Sequence, residues 1–298
     1  MPLLRSYLFA PGNQPKLLDR VFRSGADAVV LDLEDAVPFS EKAAARRLVA
    51  ATGAGRLAVA GEGSAEGPLV FVRINSLGTS DWRADIDAVI GPGLEGVRVP
   101  KAENREEICR LHDAISDREH ALGLPAGKIR LVATIETARG LAEVEMLATA
   151  PRLAGFTFGN ADYCADVGAD PADGMTTLYA CSRLVSASRA ARLAPPIASV
   201  FTELHDHEGL RKDTERLKSL GFFGRSAIHP RQVEIINSVF EPSAAELAEA
   251  REVVAAYETA ERGGSGVTRI GGAFVDLAVV RRARALLTLS AMVGGLRR

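Results

Sequence analysis

Three carboxylates stand close together in the stretch VVLDLEDAV, which covers residues 29–37. The apolar residues predict a buried strand, and Asp32, Glu34 and Asp35 arrive where that strand should end. Like charges at the edge of an apolar core repel one another and lose hydration, which is costly unless a cation balances them. The stretch therefore predicts a site for a positively charged partner.

Polar side chains follow several other predicted strands in the same way. They are Arg73 and Asn75 in VRINS, Lys101 in RVPKAE, Glu136 in VATIETARG, Asp162 in FTFGNADYCAD and His229 in SAIHP. If the strand ends meet at one face of a sheet, the excess of carboxylates favours a hard, oxygen-seeking cation. Mg²⁺ is the predicted cofactor, because it takes few protein carboxylates and leaves positions for water and substrate.

Single residues of this set have simpler interpretations. Glu136 could favour the dipole of the next helix, and Asp162 could cap one. His229, before a proline, suits a structural hydrogen bond better than a catalytic base. Arg73 is harder to explain structurally, because an unpaired guanidinium in an apolar strand is costly. The functional hypothesis therefore depends on several of these residues converging.

The elements that would position these groups alternate between short apolar strands and longer helical patterns. The predicted strands cover residues 3–10, 27–33, 69–74, 96–99, 129–135, 155–158, 196–200 and 222–228. Eight strands alternating with helices predict an α/β fold, a (β/α)8 TIM barrel with its catalytic groups at the C-terminal strand ends. A doubly wound sheet is the competitor, and the absence of a G-x-G-x-x-G turn after the first strand favours the barrel.

The pattern changes after Pro242, so we expect a barrel over residues 1–240 and a C-terminal segment over 241–298. Residues 244–262 predict one long helix. The run GGSG at 263–266 predicts a flexible break, and a short extended piece and a helix over 275–289 follow. This tail is too small for a core of its own, so it should pack on the barrel or on a neighbouring subunit.

The bulk composition limits the class of protein. A formal net charge of −2 gives the chain no general attraction to nucleic acid or an anionic membrane. Three widely spaced cysteines, Cys109, Cys164 and Cys181, favour reduced thiols over a disulfide framework or zinc site. No apolar run reaches the length of a membrane span, and the N-terminus lacks the pattern of a signal peptide. We therefore expect a cytoplasmic protein.

Seven motifs in a fixed order carry a resemblance to a known family. They are RSYLFAPG, VVLDLEDAV, VFVRINS, VRVPKAE, ATIETARG, FGNADYCADVG and GRSAIHPRQV. Over almost its whole length the chain resembles the HpcH/HpaI aldolase and citrate lyase β-subunit family, in particular its CitE-like and malyl-CoA lyase branch. The resemblance implies a magnesium-dependent lyase that acts on CoA thioesters, built on a barrel and assembled as a homo-oligomer, with a trimer favoured.

The resemblance also implies roles for the metal-binding residues of this chain. Glu136 and Asp162 would bind the metal directly, and Glu34 and Asp35 would hold its water ligands. Arg73 would contact the thioester oxygen and the substrate acid.

Further roles concern the substrate. The backbone of Gly159, Asn160 and Ala161 would hold the carboxylate of the small acid. The CoA chain and its phosphates would lie along the residues Phe9, Lys16 and Arg20. Asp276, in GGAFVDLAVV, would belong to a C-terminal lid that covers the active site of a neighbouring subunit.

Two positions depart from the family pattern. Gln14 stands where a basic residue is common, which weakens the expectation of CoA binding unless Lys16 compensates. Ala198, in PPIAS, stands where an aspartate is common, and we expect this change to remove a carboxylate from the rim of the site.

The expected reaction is a reversible Claisen-type cleavage of a 3-hydroxyacyl-CoA that carries a distal carboxylate. The products would be acetyl-CoA, or a homologue, and a 2-oxo acid. Asp276 is the preferred base, and a metal-bound hydroxide is the rival. The alternatives are an aldolase for free acids, a CoA thioesterase, a citrate lyase β subunit that acts on an acyl carrier protein, and a non-catalytic barrel.

Overall fold

A computed structural model describes residues 2–60, 67–170 and 174–295. The chain forms two compact units, Leu3–Ser238 and Val239–Arg298. Within the described residues, none of the helices combines the length and the apolar character needed to cross a membrane.

The first unit is built on one parallel sheet. Its seven strands are β1 (Ser6–Pro11), β2 (Ala28–Asp32), β3 (Leu69–Arg73), β4 (Leu94–Val99), β5 (Arg130–Ile135), β6 (Leu153–Phe158) and β7 (Arg225–Ala227). They lie in the order β6-β5-β4-β3-β2-β1-β7, and all pairs are parallel. Because the strands are parallel, their C-terminal ends lie at one edge of the sheet.

The strand expected over residues 196–200 is reduced to two bridging residues. Ile197 bridges to Thr157 in β6, and Ala198 bridges to Arg225 in β7. The backbone hydrogen bonds run on both sides of this pair, from Ile197 N to Phe156 O at 2.9 Å and from Ala198 N to Gly224 O at 2.9 Å. Pro195 and Pro196 precede the pair and have no N–H to donate, which shortens the ladder here.

Helices connect the strands of the first unit. They are α1 (Pro15–Val21), α2 (Lys42–Ala60), α3 (Asp81–Val89), α4 (Arg105–Ala121), α5 (Ala138–Ala142), α6 (Val144–Leu147), α7 (Asn160–Val167), α8 (Leu178–Ala190), α9 (His207–Leu220) and α10 (Pro230–Phe240). The last, α10, continues across the boundary into the second unit. Two short helices, α5 and α6, follow β5, and α7 and α10 were not expected from the sequence. The polar run NADYCADV in α7 has little apolar periodicity, whereas α10 begins at a proline, a residue favoured at the first helical position.

The interior of the sheet is packed by alternate residues of its strands. One buried cluster consists of Leu4, Tyr7, Ala28, Val30, Phe71, Val132 and Ile197. Side chains two positions apart on a strand share a face, so the next residues toward the C-terminal ends point to the same side. The next residue on β2 is Asp32, on β3 it is Arg73, and on β5 it is Thr134. The two-residue alternation that places apolar side chains in the core therefore also places Asp32, Arg73 and Thr134 on the same face, at the C-terminal ends of their strands.

A buried ion pair braces the loop between α4 and β5. Glu119 is 1 % exposed and accepts hydrogen bonds from Gly127 N and Ile129 N at 2.9 and 2.8 Å. Arg152 donates from Nη1 and Nη2 to the two carboxylate oxygens of Glu119 at 2.7 and 2.9 Å. Both oxygens of a buried carboxylate are therefore satisfied.

The second unit contains two helices and a hairpin. Helix α11 (Ala244–Arg262) begins with a capping box formed by Ser243 and Glu246. The expected extended piece is an antiparallel hairpin of β8 (Thr268–Ile270) and β9 (Ala273–Val275), and α12 (Leu277–Gly295) follows. The turn is made by Gly271 and Gly272, both at positive φ (55° and 85°), which suits a tight hairpin.

A small apolar cluster holds the second unit together. Tyr257 of α11, Val275 of β9 and Val280 of α12 are buried in it, and three partly buried residues pack against them: Val253, Val254 and Ile270. The hairpin is therefore fastened to both helices by side-chain packing.

Candidate active site

A cavity of about 600 Å³ opens at the C-terminal ends of the strands in the first unit. The predicted site residues that line it are Phe9, Arg73, Glu136, Gly159, Asn160, Ala161 and Asp162. Phe9 and Arg73 lie in β1 and β3, Glu136 directly follows β5, and the other four lie at the start of α7, although up to 153 positions separate them in the sequence.

Arg73 is held by three carboxylates of the VVLDLEDAV stretch. Its Nε and Nη2 donate to the two oxygens of Asp32 at 2.7 Å each, a bidentate pair. Its Nη1 lies 2.9 Å from Glu34 Oε2 and 3.5 Å from Asp35 Oδ2. Burial lowers the pKa of Arg73, but the hydrogen-bonded Asp32 and the two other carboxylates raise it further, so the net pKa lies above the ordinary value. Arg73 is therefore a permanent cation in a fixed orientation.

Glu34 is buried among charges of both signs. Its side chain also lies 3.6 Å from Lys101 Nζ, and Lys42 Nζ donates to its backbone oxygen at 3.1 Å. Burial raises the pKa of Glu34 to about 8; Arg73 opposes this effect, whereas Asp35 and Glu136 add to it. Burial therefore outweighs the stabilisation that the two nearby cations give to the Glu34 carboxylate.

Glu136 follows β5 and is 5 % exposed. Its Oε1 accepts a hydrogen bond from Lys101 N at 2.7 Å. Burial raises the pKa of Glu136 to about 7; the Lys101 N–H opposes this effect, and the nearby charge of Asp162 adds to it. Asp162 lines the same cavity as Glu136.

Backbone geometry fixes Glu136 on two sides. Lys101 has a φ of 47°, in the left-handed region that non-glycine residues rarely adopt, and this conformation accompanies the hydrogen bond from its N–H to Glu136. On the other side, a Cβ at Gly159 would lie 2.5 Å from Glu136 Oε2. Only glycine leaves room for the carboxylate in its present position.

Helix α7 brings Asn160, Ala161 and Asp162 to the cavity in its first turn. The N–H groups of a first turn have no acceptor within the helix, and the positive end of the helix dipole lies there. Asp162 is exposed, unlike Glu136. It is not the N-cap residue of α7, since that position is Gly159. A capping role therefore does not explain Asp162.

The donor set of the cavity fits a hard divalent cation. Glu136 and Asp162 provide two carboxylates that line the cavity, and Mg²⁺ is commonly bound through one or two carboxylates with water and substrate completing six positions. The raised pKa values of Glu34 and Glu136 indicate that nearby positive charge would be favourable. Over the described ranges, no cluster of three or more His, Cys, Asp or Glu side chains has metal-binding geometry. The site thus suits Mg²⁺ rather than a metal held entirely by protein ligands.

Other predicted residues lie elsewhere. Lys16 and Arg20 are exposed on α1 and do not line the cavity, and Gln14 precedes that helix without a capping hydrogen bond from its side chain. Asp276 is in the second unit, where its Oδ1 accepts hydrogen bonds from the first turn of α12, from Ala278 N at 2.9 Å and Val279 N at 3.0 Å.

Ala198 is not at the rim of the cavity, contrary to the expectation. It is fully buried in the bridge opposite Arg225 and does not line the cavity. The physical reason is the alternation of strand residues, because its neighbours Ile197 and Ser199 take the inward positions.

The histidine that follows β7 has a structural contact. His229 Nδ1 accepts a hydrogen bond from Arg231 N at 3.2 Å, at the start of α10. This contact agrees with the interpretation of His229 as a structural residue.

Two site residues were missed at the level of sequence: Arg98 and Thr157, which line the cavity below the strand ends. Asp32 was named among the clustered carboxylates, but its pairing with Arg73 was not predicted. The alternation of inward and outward residues in VRVPKAE and GFTF placed Arg98 and Thr157 on the inner face, and this signal could have identified them.

Comparisons with known proteins find relatives over nearly the whole chain. The model of the HpcH/HpaI aldolase/citrate lyase family matches residues 5–230. The citrate lyase subunit beta of Leuconostoc mesenteroides subsp. cremoris is 38 % identical over 290 residues, which cover 97 % of this chain and 93 % of that protein. The (3S)-malyl-CoA thioesterase of Cereibacter sphaeroides is 32 % identical over 293 residues, which cover 98 % and 96 %.

A solved structure is similar over nearly the whole chain. The CitE protein of Mycobacterium tuberculosis, in complex with magnesium, acetoacetate and coenzyme A, is 27 % identical and has a TM-score of 0.77. The match covers 97 % of this chain and 98 % of that one.

Proposed function

Because the chain belongs to the HpcH/HpaI aldolase/citrate lyase family, we propose that it is a magnesium-dependent carbon–carbon lyase acting on a CoA thioester. The substrate is a carboxylated 3-hydroxyacyl-CoA of the malyl-CoA or citramalyl-CoA type, and the products are acetyl-CoA and a 2-oxo acid. The observation that carries this proposal is the cavity that Glu136 and Asp162 both line and in which Arg73 lies in a fixed orientation.

Glu136 and Asp162 are the residues that would hold Mg²⁺. When bound, the ion supplies a Lewis acid and a template for the carboxylate and adjacent oxygen of the 2-oxo acid. Glu34 and Asp35 contact Arg73, and they would hold the water ligands of the ion. The backbone of Gly159, Asn160 and Ala161, at the N-terminus of α7, would hold the substrate carboxylate; the Gly159 N–H itself already donates to Ile135 O at 3.0 Å, so the contact would come from the positions after it.

Arg73 stabilises the negative charge that collects on the thioester oxygen when the carbon–carbon bond breaks. Asp32 takes Nε and Nη2, and Nη1 lies 2.9 Å from Glu34 Oε2, so the second hydrogen of Nη1 is the donor that would meet this oxygen. A donor that is already oriented does not have to reorganise during the reaction, which is the basis of this kind of stabilisation. Asp276 is the proposed base for the hydroxyl proton of the substrate.

CoA is the proposed carrier of the acyl group. Phe9 lines the cavity, and Lys16 and Arg20 are exposed on the helix after β1, where they are accessible to phosphates. The CitE protein with bound coenzyme A, which matches over 97 % of this chain, supports the assignment.

The proposal extends to fold, assembly and compartment. The bridges of Ile197 and Ala198 to β6 and β7 support a closed (β/α)8 barrel with a reduced seventh strand. The second unit serves as the lid of a neighbouring subunit in a homotrimer. Cys109, Cys164 and Cys181 are free thiols, in keeping with a cytoplasmic enzyme.

Product analysis tests the function. Purified protein with Mg²⁺ and either malyl-CoA or citramalyl-CoA should release acetyl-CoA, and chelation or either of the substitutions E136A and D162A should abolish the release. Cleavage that persists after chelation, or that persists in both variants, would contradict the metal assignment.

A thioesterase is a second candidate function, favoured by the identity to a (3S)-malyl-CoA thioesterase over 98 % of this chain. The two reactions break different bonds, so the products distinguish them. A thioesterase releases free CoA and the intact hydroxy acid, whereas the lyase releases acetyl-CoA and a 2-oxo acid. Free CoA as the first product would favour the thioesterase.

A carrier-dependent subunit is a third candidate, favoured by the identity to a citrate lyase subunit beta. Such a subunit would act on an acyl carrier protein thioester. Turnover of citryl-carrier protein without turnover of any of the CoA thioesters would support this assignment.

A further inference from the structure

Two hydrogen bonds join the segment after β5 to the segment after β6. Gly159 N donates to Ile135 O at 3.0 Å, where the two strands end. Farther along both segments, Ala138 N at the start of α5 donates to Asp166 Oδ2 of α7 at 2.7 Å. The first bond extends the ladder of the sheet. The second is made by a side chain and fixes one helix against another.

Each of the two proposed metal ligands lies between these hydrogen bonds. Glu136 is in the segment 135–138, and Asp162 is in the segment 159–166. The two segments are therefore fastened to each other both before and after the ligands. Loss of the second bond would leave the segments joined on one side only, and the separation of the two carboxylates would be less well defined.

Asp166 acts on the helix that carries Asp162. The two residues are four positions apart in α7, so their side chains leave the same face of the helix one turn apart. Asp162 lines the cavity, whereas Asp166 does not line it and accepts the hydrogen bond from Ala138 N. Asp166 thus holds the helix of a ligand and is not itself a ligand.

Helix capping does not account for this contact. Helix α5 has only five residues, and its N-cap Thr137 already accepts a hydrogen bond from Gly140 N through Oγ1 at 3.0 Å. Asp166 comes from another helix, 28 positions away from Ala138. A contact over this distance fixes the position of α5 relative to α7, which a local cap cannot do.

The start of α5 is also held by the segment after β4. Thr137 Oγ1 donates to Glu103 Oε1 at 2.7 Å, and a Cβ at Gly140 would lie 2.5 Å from Ala102 O. The backbone after Glu136 therefore packs tightly against one neighbouring segment and is bonded to α7 through Asp166. This arrangement leaves Glu136 little freedom to adjust its distance from Asp162.

A fixed separation of two carboxylates matters more for Mg²⁺ than for Ca²⁺. Mg²⁺ requires a nearly ideal octahedron with oxygen ligands at about 2.0–2.1 Å, whereas Ca²⁺ accepts about six to eight oxygens at about 2.3–2.6 Å in flexible arrangements. Contacts that orient metal ligands typically change metal affinity by about 10- to 100-fold. A rigid pair of ligands therefore favours the smaller ion.

We propose that Asp166 is a positioning residue that fixes the spacing of Glu136 and Asp162 and so makes the cation site selective for Mg²⁺ over Ca²⁺. This inference rests on the proposed metal site, because it concerns the ion that Glu136 and Asp162 would hold. It does not depend on the proposed reaction, since binding of the ion requires neither substrate nor turnover.

Competition binding on the full-length protein tests this role. Electron paramagnetic resonance measures Mn²⁺ binding, and displacement by Mg²⁺ or Ca²⁺ gives the affinities of those ions. D166A should weaken Mn²⁺ and Mg²⁺ binding by about tenfold or more. It should weaken Ca²⁺ binding by roughly threefold or less, so that the preference for Mg²⁺ falls. D166N keeps an oxygen for Ala138 N but loses the charge that strengthens the bond, so its affinities should lie between those of D166A and the wild type.

Asp206 offers a matched control. It is exposed, as Asp166 is, and its Oδ1 accepts a hydrogen bond from Gly209 N at 2.8 Å at the start of α9. D206A removes the same charge and the same kind of hydrogen bond but leaves the contact between α5 and α7 intact. Its affinities for all three ions should equal those of the wild type.

The outcomes separate positioning from charge and from stability. Equal losses of Mg²⁺ and Ca²⁺ affinity in D166A and D166N would indicate a charge effect and overturn the proposal. Wild-type affinities in a folded D166A would overturn it too, because Asp166 would then serve stability alone. If D166A does not fold, D166N decides, and a wild-type preference for Mg²⁺ in D166N refutes the role. A wild-type protein that binds no Mn²⁺ would contradict the metal site itself, whereas the other results concern Asp166 alone.

Discussion

At the scale of single residues, the site depends on charges that are buried and held in fixed positions. Arg73 is oriented by Asp32, and Glu136 is positioned by Lys101 N and by the space that Gly159 leaves. Each of these contacts joins residues that are at least 23 positions apart in the sequence. A substitution at one of these contacts should therefore lower the activity more than the stability of the fold.

Substitution of Arg73 tests the role of the fixed donor. R73A should lower the turnover of the CoA thioester by about 10²–10³, the usual cost of losing an oriented donor to a developing oxyanion. Steady-state kinetics should show the loss mainly in kcat. A change confined to KM would show instead that Arg73 only helps to bind the substrate.

Substitution of Asp32 separates orientation from charge. D32N keeps the side-chain shape but weakens the bidentate pair with Arg73, so kcat should fall although the guanidinium remains. An unchanged kcat in a D32N protein that melts normally would show that Asp32 does not position Arg73 for catalysis.

Gly159 offers a test of the carboxylate position. In G159A the new Cβ would lie 2.5 Å from Glu136 Oε2, so the carboxylate must move. We expect the affinity for Mn²⁺, a spectroscopic substitute for Mg²⁺, to fall by about tenfold or more, the equivalent of roughly 1–3 kcal/mol of overpacking. Electron paramagnetic resonance of free Mn²⁺ measures this directly. Wild-type affinity in G159A would mean that the position of Glu136 does not control the cation site.

At the scale of elements, the parallel strands and the loops behind them fix the positions of the site residues. The pair Glu119–Arg152 joins α4 to the segment between α6 and β6. Burial raises the pKa of Glu119, but the hydrogen bonds from Arg152, Ile129 N and Gly127 N lower it further, to a net value below the ordinary 4.5. This pair should stabilise the fold without taking part in the reaction.

E119Q should destabilise the protein by about 3–5 kcal/mol at neutral pH, the usual cost of breaking a buried pair on one side. Because the folded pKa of Glu119 is depressed, its contribution is present above the unfolded pKa and is lost as the pH falls through the folded one. The difference in unfolding free energy between wild type and E119Q should therefore shrink in acid. Urea unfolding at several pH values measures it, and a difference that grows in acid would contradict the assignment.

Helices and strands with a clear apolar periodicity were predicted correctly. Elements whose extent depends on prolines or on the preceding strand were not. The helix expected over residues 244–262 is α11, and the strands up to β6 lie within a few residues of their predicted bounds. The strand over 196–200 was overestimated, because prolines limit its hydrogen bonds. Helix α7 was missed, because it is short and polar and its position follows from the end of β6.

The sequence predicted some of the charged residues of the site but not the contacts between them. Arg73, Glu136 and Asp162 could be found, because charges at the ends of apolar strands stand out in a sequence. The role of Asp32 could not, since it depends on a pairing with Arg73 across 41 positions. Arg98 was missed because a sequence does not reveal which buried charges lack a partner.

At the scale of the whole molecule, the matched family and the CitE structure cover the first unit, and the similarity to CitE extends through the tail. The proposed assembly places Asp276 of one subunit at the active site of another. Asp276 also caps α12, so D276N is the informative variant, because asparagine keeps the cap and removes the charge.

Mixing two inactive variants tests this shared site. D276N and E136A are each expected to be inactive, but co-refolded mixed oligomers would contain some sites with both wild-type residues. Activity should therefore reappear in the mixture, as measured by acetyl-CoA release. A mixture that stays inactive, although mass spectrometry shows mixed oligomers, would place both residues in the same subunit or remove Asp276 from the mechanism.

The central claim is that Glu136 and Asp162 together hold one divalent cation, and Mn²⁺ binding to the purified protein measures it most directly. We expect one Mn²⁺ per chain, displaced by Mg²⁺, with binding lost in both E136A and D162A. Stoichiometric binding that survives in both variants, or the absence of binding in the folded wild-type protein, would contradict the account.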